Sequence, residues 1–225
     1  MLTNTVFFDL DGTLLDPKVG ITTSIQYALG KLGADVPTKD ELTWCIGPPL
    51  MDSFCSLVGE EKAQQSISFY RERYGDVGWM ENTPYVGIAE TLARLVENGF
   101  TLYVATSKPQ VYAAKIVEHF ELGQYFSGVF GSELDGTRAD KADLLSFALS
   151  ATQPTAVATM VGDRKHDVLG ARANGMNIIG VTYGYGSPQE LEQAGAKVLV
   201  NRPKDLLPAL LTGVPREINS ETLAP

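Results

Sequence analysis

The chain has 225 residues, 44% hydrophobic and 20% charged, enough to bury one large core or a core plus a small accessory domain. Its formal net charge of -9 argues against a nucleic-acid surface, which needs a basic stripe to neutralise phosphates, and against adhesion to anionic membranes. No nucleic-acid polymer or membrane is therefore expected as a partner, and a small anionic ligand must find positive charge locally.

In chain order, Met1 to Val6 shows no basic segment leading into an apolar run, and no later run is long enough to span a bilayer, so a cytoplasmic protein is expected. Val6 to Phe8 is a short apolar run that reads as a buried strand, followed at once by Asp9-Leu10-Asp11-Gly12-Thr13. From Asp16 to Pro84 the signals are helical. Ile21, Ile25, Ala28, Leu29 and Leu32 form one apolar stripe, Thr38-Lys39-Asp40-Glu41 is a capping box, and Ala63, Ile67, Tyr70 and Tyr74 form a second stripe. Cys45 and Cys55, the only cysteines, lie in this stretch and imply no disulfide framework. The hinges of this insertion are placed at Asp16-Pro17 and near Pro84. Ala89, Leu92, Ala93 and Val96 then recur with helical spacing, and Asn98-Gly99 marks a stop.

Further buried strands are read at Leu102 to Ala105, Val157 to Val161, Ile178 to Val181 and Val198 to Val200. Their lack of polar alternation suits parallel strands covered on both faces. Ser187-Pro188-Gln189-Glu190 combines a capping box with proline at the first helical position, predicting a helix start. The alternation predicts an α/β fold with a doubly wound parallel sheet: residues 1–15 and 85–212 form the core, 16–84 a helical domain and 213–225 a frayed tail.

The chemistry lies at the strand ends. Asp9 and Asp11 are two residues apart, and two neighbouring carboxylates need a cation to offset their repulsion. Gly162-Asp163-Arg164-Lys165-His166-Asp167 places a second acidic pair after another apolar run, with Asp167 one helical turn beyond Asp163. Acids in a first helical turn also complement the helix dipole, but ligands of parallel sheets bind at the strands' carboxyl ends, where both pairs can meet. Oxygen ligands without a His or Cys cluster suit magnesium. Thr106 and Ser107 end their strand where a hydroxyl and backbone amides can hold a phosphate oxygen; helix capping before Pro109 is the competing reading. Lys141 opens a helix, where its charge opposes the dipole unless an anion sits nearby. Lys108, Arg164, Lys165 and His166 can each help hold the anion, but a solvated surface role is the preferred reading. Gly47-Pro48-Pro49-Leu50 is a stiff loop suited to reaching over the crevice, and Arg71 either meets a second anionic group or decorates its helix's outer face.

Taken together, the chain resembles haloacid dehalogenase superfamily phosphatases of the phosphoglycolate phosphatase and 5′-nucleotidase-like group. Asp9-Leu10-Asp11-Gly12-Thr13 matches the first motif, Thr106 the second, Lys141 the third, and Gly162-Asp163 through Asp167 the fourth. The helical insertion resembles the family's cap, and Gly131 to Arg138 resembles the nucleotidase-like branch; the proline-flanked lysine common in the phosphoglycolate branch is missing before Lys141. The resemblance implies a small phosphorylated metabolite as substrate, Asp9 as nucleophile and Asp11 as acid and base. It also implies magnesium held by Asp9, the Asp11 carbonyl and Asp163, with Asp167 orienting a metal-bound water or Lys141, and Lys141 and Thr106 on the phosphoryl oxygens. A phosphorylated receiver module uses similar groups, but its acidic pair and its acceptor Asp lie on separate strands and no helical cap follows them.

Overall fold

The computed structural model describes residues 4–212; the expected tail at 213–225 lies outside the described residues. Six strands form one sheet in the order β5-β4-β1-β6-β7-β8, every neighbouring pair parallel. They are β1 (Asn4–Phe8), β4 (Phe100–Pro109), β5 (Phe126–Ser132), β6 (Thr159–Gly162), β7 (Asn177–Val181) and β8 (Leu199–Val200). Successive side chains of a strand point to opposite faces, and β1 shows the result. Val6 and Phe8 enter one apolar cluster with Leu102, Val104 and Ile179, while Phe7 enters another with Leu144, Met160 and Val168. Each fully buried Phe contributes about 1.5–3 kcal/mol, so from Val6 to Phe8 both faces of the central strand are apolar, and the first charged residue comes where the strand ends at Asp9.

The α/β expectation is met, with local differences. Helix α4 (Ile88–Glu97) buries Ile88, Thr91, Leu92 and Leu95 and exposes Ala89 and Val96, so its inner stripe is rotated from the expected one. The larger side chains of Ile88 and Leu95 bury more apolar area than alanine can. Strand β6 starts at Thr159, leaving Val157 53% exposed. Strand β5 is an addition: glycine- and serine-containing Phe126-Ser127-Gly128-Val129-Phe130-Gly131-Ser132 pairs only with β4, at the sheet edge.

Between Leu15 and Pro84 the chain leaves the sheet. It crosses at a two-stranded ladder, β2 (Leu15–Asp16) against β3 (Thr83–Pro84), with Leu15 opposite Pro84 and Asp16 opposite Thr83. Beyond it lie α1 (Lys18–Lys31), α2 (Leu50–Val58) and α3 (Glu60–Asp76). Ile21, Ile25, Phe54, Ile67 and Tyr70 share a separate apolar cluster there. The capping box at Thr38 forms in full, with Thr38 N and Glu41 N each bonded to the other residue's side chain, yet only turns and a 3-10 turn at Thr43–Cys45 follow. A cap satisfies orphan amides but does not by itself offset the cost of nucleating a helix.

Candidate active site

Asp9 leaves the central strand between its two neighbours. Phe8 pairs with Val104 of β4 and Val161 of β6, and Asp9 N donates to Val161 O at 2.9 Å. Thr106 and Asp163 therefore emerge on either side of it. Thr106 is 2% exposed and Asp163 fully buried. Lys141 opens α6 (Lys141–Thr152), whose N-cap Asp140 accepts from Ala142 N and Asp143 N. The lysine turns inward: its Nζ lies 2.8 Å from Asp9 Oδ1, 2.8 Å from Asp167 Oδ1 and 3.1 Å from Ala105 O. Burial opposes its charge, but the carboxylates of Asp167 and Asp9 overcome this and hold the ammonium above the usual lysine range.

Asp167 lies in the first turn of α7 (Lys165–Ala173) and accepts from Arg164 N at 3.1 Å. Burial raises its carboxyl against the opposing pull of Lys141. Asp163 precedes that helix, accepts from Tyr185 N at 2.8 Å, and is pushed up mainly by burial and next by the charge of Asp167. Each of Asp9, Asp163 and Asp167 offers a carboxylate oxygen within 4.8 Å of the others. Gly12 makes the packing possible: its φ is +83°, and a Cβ there would lie 2.2 Å from Asp163 Oδ2.

Asp11 stands apart from this cluster. Its Oδ2 lies 2.6 Å from Lys108 Nζ, and its Oδ1 is buried with no hydrogen-bond partner. Burial raises its carboxyl, with Lys108 opposing. The same cavity is lined by Asp9, Thr106, Ser107, Lys141 and Asp167 from below, and by Gly47, Pro48, Pro49 and Arg71 from the helical insertion. The structure thus brings the expected residues to one cavity, with Asp163 buried behind the lining as part of the acidic cluster.

Three residues, Lys108, Arg164 and Glu190, depart from their sequence reading, and for Arg71 the structure removes one of two alternatives. Lys108 is buried on Asp11. Arg164 is bound on both sides, its Nε 2.9 Å from Glu190 Oε1 and its Nη1 donating to Ile46 O of the insertion. Arg71 reaches across to Leu134 O at 2.7 Å, so it does more than decorate its helix. Glu190 completes only half of the box expected at Ser187: its N–H bonds Ser187 Oγ, but its carboxylate serves Arg164 and Lys165 N. The sequence reading also passed over Tyr112 as a wall of the cavity.

Comparison with known proteins places these residues in context. The family model for haloacid dehalogenase-like hydrolases matches residues 6–181. A 5′-nucleotidase of Pseudomonas aeruginosa is 48% identical over 189 residues, covering 83% of this chain and 86% of that protein. The tyrosine-protein kinase PtkA of Mycobacterium tuberculosis is 39% identical over 197 residues, covering 87% of this chain and 68% of that one. The crystal structure of a predicted phosphatase from Clostridium acetobutylicum superposes with a TM-score of 0.90 at 42% identity, covering 95% of this chain and all of that one. With its motif residues gathered at the end of β1 and a family match over most of its length, the chain belongs to the haloacid dehalogenase-like hydrolases.

Proposed function

We propose that the protein hydrolyses phosphomonoesters through a phosphorylated Asp9, with nucleoside 5′-monophosphates as substrates and phosphoglycolate as the alternative. The observation that carries this reading is the division of labour between two carboxylates. Asp9 faces Lys141, while Asp11, two residues on, lines the same cavity and has one carboxylate oxygen without a hydrogen-bond partner. In the first step a carboxylate oxygen of Asp9 forms a bond to phosphorus as the ester P–O bond breaks, and Asp11 gives its proton to the departing alkoxide. In the second, Asp11 takes a proton from water, the water oxygen attacks phosphorus, and Asp9 is released with inorganic phosphate. Lys141, the Thr106 hydroxyl and the backbone near Ser107 hold the phosphoryl oxygens through both steps.

Magnesium fits the donor set. Three buried carboxylates, Asp9, Asp163 and Asp167, face the single ammonium of Lys141, and the imbalance of charge in a low-dielectric site calls for a divalent cation with hard oxygen ligands. Asp9, Asp163 and the Asp11 carbonyl would hold it, and Asp167 would act through Lys141. When bound, it offsets the charge of the phosphate dianion. Exhaustive chelation is expected to abolish phosphate release, and magnesium added to the stripped protein to raise its Tm. A ligand at about a hundred times its Kd adds about 2.7 kcal/mol, or roughly 5–11 °C for a chain of this size. Undiminished activity after chelation, or an unchanged Tm, would remove the metal from the reading.

The insertion at 16–84 serves as the cap that selects the leaving group, because the core residues meet only the phosphoryl end. Gly47, Pro48, Pro49 and Arg71 line its side of the cavity. The test is a steady-state panel of nucleoside 5′-monophosphates, phosphoglycolate and p-nitrophenyl phosphate. Nucleotides are expected to exceed the aryl ester in kcat/KM by about tenfold or more, a difference of about 1.4 kcal/mol. Parity with the aryl ester would defeat the nucleotidase assignment, and a preference for phosphoglycolate would replace it.

A further inference from the structure

Resting on the reading of Asp11 as acid and base, we propose that Lys108 is a positioning residue that fixes the Asp11 carboxylate for proton transfer and ties it to the insertion through Tyr74.

Lys108 occupies an irregular stretch of β4. The register with β5 shifts between Thr106 and Pro109, and Lys108 N donates to Thr106 Oγ1 at 3.2 Å. The side chain leaves the ladder there and enters the cavity, where it is 6% exposed. Its ammonium has two partners from different parts of the molecule. One is Asp11 Oδ2 at 2.6 Å; the other is the Tyr74 hydroxyl of α3 at 2.7 Å, with the Tyr74 ring centroid 4.9 Å away. Tyr74 is itself held, stacked on Tyr70 at 5.1 Å and edge-on to Tyr112 at 5.2 Å. A rigid aromatic group in the insertion therefore sets where the ammonium sits, and the ammonium sets the Asp11 rotamer.

The charges are apportioned accordingly. Lys141 is committed to Asp9 and Asp167, while Lys108 is committed to Asp11. Lys108 binds Oδ2 while Oδ1 is buried without a hydrogen-bond partner, so the ammonium fixes the orientation of the carboxyl that is to carry the proton. A carboxyl free to rotate about its last torsion would present its proton in the right direction only part of the time. A lysine that bound the phosphate itself would aid all esters equally; one that aims a general acid aids only esters whose leaving group needs a proton.

Rapid-quench measurement of the phosphorylation step decides this, using phenyl phosphate, with a poor leaving group, and 2,4-dinitrophenyl phosphate, with a good one. The proteins are wild type, Lys108→Met, Lys108→Arg, Tyr74→Phe and Asp11→Asn. Lys108→Met is expected to slow phenyl phosphate by about 10- to 100-fold, part of the range for general acid catalysis, and the dinitrophenyl ester by less than about threefold. Lys108→Arg should recover part of the loss. Tyr74→Phe keeps the ring and removes only the hydroxyl, so it should give a smaller, equally selective loss in kcat with little change in KM; it also covers the case in which Lys108→Met does not fold. Equal losses on both esters, or none, would overturn the positioning role. If Asp11→Asn itself fails to discriminate between the esters, the acid/base reading beneath it falls instead.

Discussion

Asp9→Asn is expected to abolish phosphate release and phosphate labelling of the protein together. Asparagine keeps the volume and still accepts from Lys141, whose Nζ lies 2.8 Å from Asp9 Oδ1, so the site should stay assembled. What disappears is the anionic oxygen that, in the proposed mechanism, bonds to phosphorus. Loss of a nucleophile acting in a tuned set costs up to about a millionfold in kcat, and a fall of about ten-thousandfold or more is expected here. The check is a phosphate-release assay beside acid-quench trapping of labelled protein. A variant that still traps label would place the nucleophile elsewhere.

The second large effect belongs to Lys141. Its ammonium joins Asp9, Asp167 and the Ala105 carbonyl in one buried cluster, so Lys141→Met leaves two carboxylates facing each other without a cation. Breaking a buried pair from one side costs about 3–5 kcal/mol, and the loss of phosphoryl stabilisation adds a drop of about a hundred- to thousandfold in kcat. Stability and rate separate the two parts. Magnesium should restore part of the Tm, because it replaces missing positive charge, while leaving kcat low. Recovery of kcat by metal alone would mean that Lys141 serves only to balance charge.

Much of this site was legible because the burial rules that end a strand are strict. A run such as Val6 to Phe8 admits no charge while both faces are covered, so Asp9 marks the strand's exit, and the same holds for Asp163 after Met160 and Val161. Lys141 was legible because a cation at a helix start opposes the dipole. Lys108 was not, since an isolated lysine after Thr106 and Ser107 has no local conflict to betray its burial; its partners Asp11 and Tyr74 come from distant segments. Arg164 escaped for the same reason, being fixed by the Ile46 carbonyl and Glu190. In α4, spacing alone could not choose between Ala89/Val96 and Ile88/Leu95, because both sets have helical period and only packing against the sheet ranks them. Strand β5 carries the glycines and serines that weaken a strand signal, tolerated because it is an edge.

The two-residue ladder of Leu15 and Asp16 against Thr83 and Pro84 bears on how the chain finds its fold. Strand β1 must pair with β4 across the whole helical excursion, a long-range contact whose loop-closure entropy delays folding. Once residues 17–82 have collapsed, their two ends are already side by side, and the chain between β1 and β4 behaves as a much shorter loop. The saving is only about 1 kcal/mol, yet it falls on the closure step itself. Rapid local assembly of α1 and α3 would thus quicken the nucleation of a sheet in which neither helix takes part.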